Sequence, residues 1–169
     1  MASLVGRIIA GAVAGAIGTL AMDLVWFRRY KDSGGEDGFT DWEFATGVQN
    51  FENASAPAQA GKKMVSAVGV DLPDEAAATT TNVMHWLTGV GYGVGHAILQ
   101  DGRNPVFGGL ATGIGAFTNS YVTLGAMGIY QPIWEYDAET LAKDLSAHLV
   151  FGLGTGLAYA VLNGGDDTD

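Results

Sequence analysis

Residues Ile8–Phe27, IIAGAVAGAIGTLAMDLVWF, run for twenty positions with a single charge, Asp23. A helix crossing a bilayer needs about 17–25 mostly apolar residues, so the stretch is long enough to span. It exceeds the usual signal-peptide core of about 7–15 residues, and Arg28-Arg29 follow it directly, so a retained helix is expected. Three further runs share its character. Thr79–Leu99 lacks Asp, Glu, Lys and Arg but holds His85 and His96. Pro105–Tyr130 has no ionisable residue except tyrosine, and Leu145–Leu162 has only His148. Four such runs in 169 residues predict an all-α integral membrane protein with four transmembrane helices and the lipid bilayer as its surroundings. A water-soluble glycine-rich bundle is the weaker alternative, because an exposed helix-interior glycine costs about 1 kcal/mol relative to alanine.

Composition agrees. The chain is 48% hydrophobic and 15% charged, against about 25% charged in an ordinary soluble domain. That excludes a disordered chain. Four prolines without a G-X-Y period exclude collagen. The absence of cysteine excludes disulfides, thiolate metal sites and cysteine nucleophiles. A net charge of −10 argues against a nucleic-acid partner, which requires clustered Lys and Arg. Low lysine and the acidic tail at 165–169 resemble proteins of salt-loving organisms, the alternative being an ordinary acidic protein with a solvated tail.

Basic residues set an expected orientation. Arg28, Arg29, Lys31, Lys62, Lys63 and Lys143 fall on one side, Arg7 and Arg103 on the other. This predicts a multi-pass protein of the plasma membrane with segments 28–78 and 131–144 in the cytoplasm and both termini outside. The sequon Asn53-Ala54-Ser55 would then go unused. Within 28–78, Asp32–Gly38 reads as flexible. Pro57–Val70 reads as a short amphipathic helix carrying Ala60, Met64 and Ala67 or Val68 on one face, lying on the membrane or capping the bundle. Trp26, Trp42, Trp86 and Trp134 all fall near cytoplasmic boundaries, as interfacial aromatics do.

The chain also repeats itself. His85–Leu99 laid on His148–Leu162 shares the frame H-x₃-G-x-G-x-G-x₃-A-x-L, with six of fifteen positions identical. At an offset of 97, Gly11, Ala14, Ile17 and Gly18 fall on Gly108, Ala111, Ile114 and Gly115. Trp42-Glu43-Phe44 matches Trp134-Glu135-Tyr136. Two tandem helix hairpins are therefore expected as a parallel repeat, 5–100 (with the cytoplasmic insertion 28–78) and 104–164. Small-xxx-small pairs at Gly11/Gly15, Gly89/Gly93, Gly109/Gly113 and Gly152/Gly156 suit close helix packing.

The repeat makes His85 and His148 equivalent, each about 5–8 Å inside its helix from the cytoplasmic end. Asp23 lies at similar depth, Asp144 precedes His148 by one turn, and Glu43 and Glu135 are repeat partners. Two imidazoles and four carboxylates at one boundary suit three chemistries. They could hold a divalent metal such as Zn, Mn or Fe. His85 and His148 could ligate a b-type haem. The cluster could pass protons or ions. Alternatively the groups only fix helix packing, in a scaffold or accessory subunit without catalysis. His96 lies about 16 Å along the helix from His85, too far to share a metal, and reads as an interfacial polar group near the outer surface. No G-x-G-x-x-G, G-x-x-x-x-G-K-[ST], H-E-x-x-H or G-x-S-x-G occurs. Ser146 lies on the wrong side of its helix to pair with His148. Four thin helices enclose little, so a homo-oligomer or a partner membrane protein is expected.

Gly18-Thr-Leu-Ala-Met-Asp23, Asn82-Val-Met-His-Trp86, Trp134-Glu-Tyr136 and Lys143-Asp-Leu-Ser-Ala-His148 resemble segments of small prokaryotic inner-membrane proteins of the YagU-like family. The resemblance spans most of the chain and implies an integral membrane protein. It carries no established activity. The long 28–78 insertion departs from simpler members.

Overall fold

The computed structural model of the chain describes residues 3–164, and the acidic tail lies outside them. Every regular element among the described residues is helical: α1 (Leu4–Asp32), α2 (Phe39–Glu43), α3 (Ala56–Ser66), α4 (Ala77–Leu99), α5 (Pro105–Ala126) and α6 (Ala138–Asn163), with short 3₁₀ turns at Asp74–Ala76 and Ile133–Glu135. The four apolar runs form the bodies of α1, α4, α5 and α6. By length and composition, α1 and α6 can each cross a membrane.

The helix ends differ from the apolar runs for local reasons. Beyond Phe27, α1 continues to Asp32, where the Arg28 guanidinium meets the Asp32 carboxylate at 3.2 Å, a favourable spacing of one turn. Helix α5 opens with proline, which needs no N–H partner there, and Asn104 Oδ1 accepts from the Val106 and Phe107 amides at 3.0 and 3.3 Å. Helix α3 stops at Ser66 rather than Val70. Gly69, at φ 84°, turns the chain so that the Val70 amide returns to the Val65 carbonyl at 3.0 Å.

Helix α6 begins seven residues before Leu145 because Asp137 caps it. Its Oδ1 accepts from the Thr140 amide at 2.8 Å and its Oδ2 from the Thr140 hydroxyl at 2.8 Å. The Thr140 backbone hydrogen bond foremost holds the Asp137 carboxyl below the ordinary carboxylate range. A depressed carboxyl adds stability above its unfolded pKa and loses it as pH falls through the lower folded value. Asp137→Asn should retain the cap but flatten this acid dependence, while Asp137→Ala should lower the melting temperature at neutral pH; circular-dichroism melts from pH 7 to 3 measure both.

The expected flexible stretch at 32–38 is instead a closed turn. The Tyr30 hydroxyl donates to Asp37 Oδ2 at 2.7 Å and accepts the Asp37 amide at 3.1 Å. The Tyr30 ring occupies the space that a Cβ on Gly35 would need.

The chain divides into two compact units. Among the described residues, the first comprises 3–25, 88–119 and 137–164, and the second comprises 26–87 and 120–136. The first unit is packed on glycine. A Cβ on Gly11 would stand 2.6 Å from the Gly93 carbonyl oxygen, and one on Gly93 would stand 2.5 Å from Gly15 Cα. On the other helix pair, a Cβ on Gly109 would stand 2.6 Å from the Gly152 oxygen, and one on Gly156 would stand 2.9 Å from Gly109 Cα. Gly89 and Gly113 are equally tight, against Thr19 and the His148 carbonyl. Thr19 and Thr155 are the largest fully buried side chains, and each returns its hydroxyl to the carbonyl four residues back. Meanwhile Leu99, Phe107 and Val161 are exposed. The interior of this unit is built mostly of small residues, with Phe151 and Tyr159 as buried rings, and small residues let helices approach closely.

The two crossings also set a register. Gly93 packs against Gly11 and Gly15, whereas Gly156 packs against Pro105 and Gly109. Gly89 meets Thr19, and Gly152 meets Gly113. Gly15 thus corresponds to Gly109 and Thr19 to Gly113, three residues out of step with the 97-residue alignment of the first and third runs.

At one end of the first unit Arg7 Nη2 bridges Asp101 (3.0 Å) and the Ala97 carbonyl (2.8 Å). Tyr159 and Asn163 donate to the same Asp101 carboxylate at 3.0 and 3.3 Å. The second unit has its own core of Phe51, Ala54, Ala58 and Ala77. Lys62 lies over the Phe51 ring at 4.4 Å, and Lys63 Nζ donates to the Met127 carbonyl at 2.6 Å.

Candidate metal centre

Asp23, Glu43 and His85 form a group able to hold a metal ion. Each offers one ligand atom, and all of these atoms lie within 4.8 Å of one another. Asp23 is buried at 3% exposure; Glu43 and His85 are half-buried.

Each ligand arrives by a separate local device. The buried stripe of α1 passes through Gly11, Gly15 and Thr19 and reaches Asp23 one turn later, because side chains four residues apart share a helix face. Glu43 closes α2, whose aromatic residues anchor it. Phe39 and Trp42 pack on Phe27 of α1 at ring separations of 5.2 and 5.5 Å. His85 is fixed along α4 by Asn82, three residues earlier, whose amide donates to the Phe44 carbonyl at 2.8 Å and to the Ala78 carbonyl at 2.8 Å. The residue following Glu43 is therefore tied to the helix that carries His85.

Directly after this tie, Ala45 has φ 51°, a left-handed conformation that a non-glycine residue adopts at a cost of about 1–2 kcal/mol. The turn lets the Thr46 amide reach the Asp41 carbonyl at 3.1 Å and ends α2 directly after Glu43. Ala45→Gly should raise stability by about 1 kcal/mol, measured by chemical denaturation. A loss of stability would contradict the left-handed turn.

The other sequence candidates lie elsewhere. His148 pairs with Asp144 one turn earlier, Nδ1 to Oδ1 at 3.1 Å and Nδ1 to the Asp144 carbonyl at 3.0 Å. The Phe117 ring stands edge-on to the His148 imidazole at 5.8 Å. Glu135 is exposed at the end of a 3₁₀ turn. Neither His148, Asp144 nor Glu135 joins a three-ligand group among the described residues. His96 is buried at 4% exposure. Its Nδ1 lies 2.7 Å from the Thr112 hydroxyl, and its ring stands edge-on to Tyr159 at 5.5 Å.

Two residues that matter were missed from sequence. Asn82 looked like one more polar residue in a glycine-rich run, and Ala45 has no signature for a left-handed turn, which glycine usually marks. Compared with protein-family models, with curated proteins and with solved structures, the chain matches none.

Chemically, two carboxylates and an imidazole form a borderline-hard ligand set suited to Zn, Mn or Fe. Metal–ligand bonds of about 2.0–2.3 Å set neighbouring ligands of one ion about 3–4 Å apart, inside the 4.8 Å within which these atoms lie. Three protein ligands would leave coordination positions for water or substrate, as in catalytic rather than structural sites.

Proposed function

We propose that this is a four-span membrane protein that binds a divalent cation at Asp23, Glu43 and His85. The observation that carries the reading is the convergence of three ligand atoms within 4.8 Å, one of them on a carboxylate that is 3% exposed. Two carboxylates in a group of three suit a small divalent ion better than haem iron, whose axial ligands are typically His, Met, Cys or Tyr.

Four spans are supported by helix length and by size distribution. Helices α1, α4, α5 and α6 contain 29, 23, 22 and 26 residues, each above about 30 Å at 1.5 Å per residue. Most of their large apolar residues point outward, Tyr121, Phe151 and Tyr159 excepted, and glycine, alanine and threonine make up much of the interior. The basic residues favour cytoplasmic 28–78 and 131–144 segments with outer termini, in a plasma membrane. Single cysteines at Ser55 and Asn104 test this: a membrane-impermeant thiol reagent on intact cells should label the second and not the first.

The glycine register supports a repeat of two hairpins in which only the first retains the site. Asp23 follows Thr19 by four residues, and Phe117 follows Gly113 by four. Phe117 therefore takes the position of Asp23, beside His148 where Asp23 is beside His85. The second hairpin has exchanged a ligand for a ring, and its histidine pairs with Asp144 on its own helix.

Elemental analysis of detergent-purified protein, loaded in turn with Mn, Fe and Zn and then dialysed, tests the binding. The wild type and His148→Ala should retain about one ion per chain, and His85→Ala should retain none. Equal loss in both variants would favour a site shared by the two histidines. A metal-free wild type would leave the cluster as a packing device.

A further inference from the structure

Of the four helix-interior glycines that the packing leaves over, Gly125 stands apart and three line one space. A Cβ built on Gly91, Gly95 or Gly115 meets nothing within 4 Å. Glycine weakens a helix interior relative to alanine, so glycines that touch nothing need another reason. All three border one cavity of about 630 Å³ between α4 and α5, inside the range of about 300–1,000 Å³ typical of small-molecule sites. Any larger residue at these positions would project into it.

The cavity has a definite hydrogen-bonding character. No Asp, Glu, Lys or Arg lines it, so it suits a neutral ligand. Two polar rungs join its walls. Asn119 Nδ2 donates to the Tyr92 hydroxyl oxygen at 2.7 Å, which leaves the Tyr92 proton available to a ligand. The Thr112 hydroxyl donates its one proton to the Gly108 carbonyl at 3.0 Å. His96 Nδ1, 2.7 Å from the Thr112 oxygen, is therefore the donor in that contact, and Nε2 carries the lone pair. Among the polar groups at the walls are thus one hydroxyl donor, Tyr92, and one imidazole acceptor, His96, on residues one turn apart on α4, with the buried Gln100 Oε1 as a further acceptor. Leu99, 70% exposed, supplies an apolar rim.

We propose that this cavity binds a neutral amphiphile whose head carries two oxygens, at least one of them a hydroxyl. The hydroxyl donates to His96 Nε2, the second oxygen accepts from Tyr92, and the apolar body leaves sideways past Leu99. The proposal rests on the reading of α4 and α5 as spans, which opens the groove to lipid. A hydroquinone bearing an alkyl chain is the simplest such molecule. Its dimethyl ether keeps the ring and the chain, carries two added methyl groups and cannot donate.

The test uses the full chain in phosphatidylcholine nanodiscs with ¹⁵N-labelled histidine. The chain has three histidines, and His96→Gln identifies the relevant signals. Decylhydroquinone should shift the His96 ring nitrogens saturably, and the dimethyl ether should bind at least about ten-fold more weakly, as expected for one lost hydrogen bond. Gly95→Leu, which fills the cavity from an open position, should abolish the shift with the circular-dichroism spectrum unchanged. Equal binding of the ether, or no saturable shift in incorporated protein, overturns the proposal. So does a Gly95→Leu variant that breaks an oligomer while hydroquinone has no effect, because a second copy then occupies the groove. Failure of the chain to enter nanodiscs overturns the spanning reading and this proposal with it.

Discussion

Gly93→Val should cost at least about 3 kcal/mol, the upper end of ordinary overpacking, in unfolding titrations followed by circular dichroism in mixed micelles. The reason is the identity of the neighbours. A Cβ at position 93 would meet the Gly11 carbonyl oxygen and stand 2.5 Å from Gly15 Cα and 2.6 Å from Gly15 N. These are backbone atoms of a continuous helix and cannot swing aside as a long side chain can. Valine adds two methyl groups to that collision and is stiff about χ1. Gly91, two residues earlier on α4, faces open space. Gly91→Ala should therefore leave stability unchanged or raise it by up to about 1 kcal/mol. If the two variants behaved alike, the crossing of α1 on α4 described above would be wrong.

The second large effect concerns the ligands. Asp23→Asn preserves shape and removes the charge, so it separates ligation from packing. Metal affinity should fall by more than about 100-fold, the upper end of what losing even an outer-shell partner does. His85→Gln should do the same. His148→Gln and Glu135→Gln should leave affinity unchanged, because neither residue belongs to the three-ligand group. Stability should follow binding. Metal at 100 times its dissociation constant adds about 2.7 kcal/mol to a chain that binds it only when folded. The melting temperature of the wild type should therefore rise on adding metal, and that of Asp23→Asn should not. Binding should weaken as pH falls, because protons compete for all three ligands.

Much of this architecture can be read from the sequence, and the exceptions have physical causes. The long helices are legible because an uninterrupted apolar run leaves few alternatives. Their ends are less so, since α6 starts within the polar stretch Ala138–Asp144 and depends on the Asp137 cap. Helix α2 was invisible to periodicity. It has five residues and is anchored by a ring cluster on Phe27 that forms only in three dimensions.

At the site, Asp23, Glu43 and His85 were recognisable as ionisable groups near one boundary. Sequence did not separate them from His148, Asp144 and Glu135. The alignment of the first and third runs is three residues out of step with the glycine contacts, which is nearly one helical turn. Gly/Ala-rich helices align almost equally well after such a slip. The contacts of Gly93 and Gly156, not the letters, are what line up Phe117 with Asp23.

The most direct measurement is a calorimetric titration of Mn²⁺ into the full chain in phosphatidylcholine nanodiscs, wild type beside Asp23→Asn. The account predicts one saturable site per chain in the wild type and none in the variant at the same concentrations. Equal binding by both, or none by the wild type, would contradict a metal centre at Asp23, Glu43 and His85.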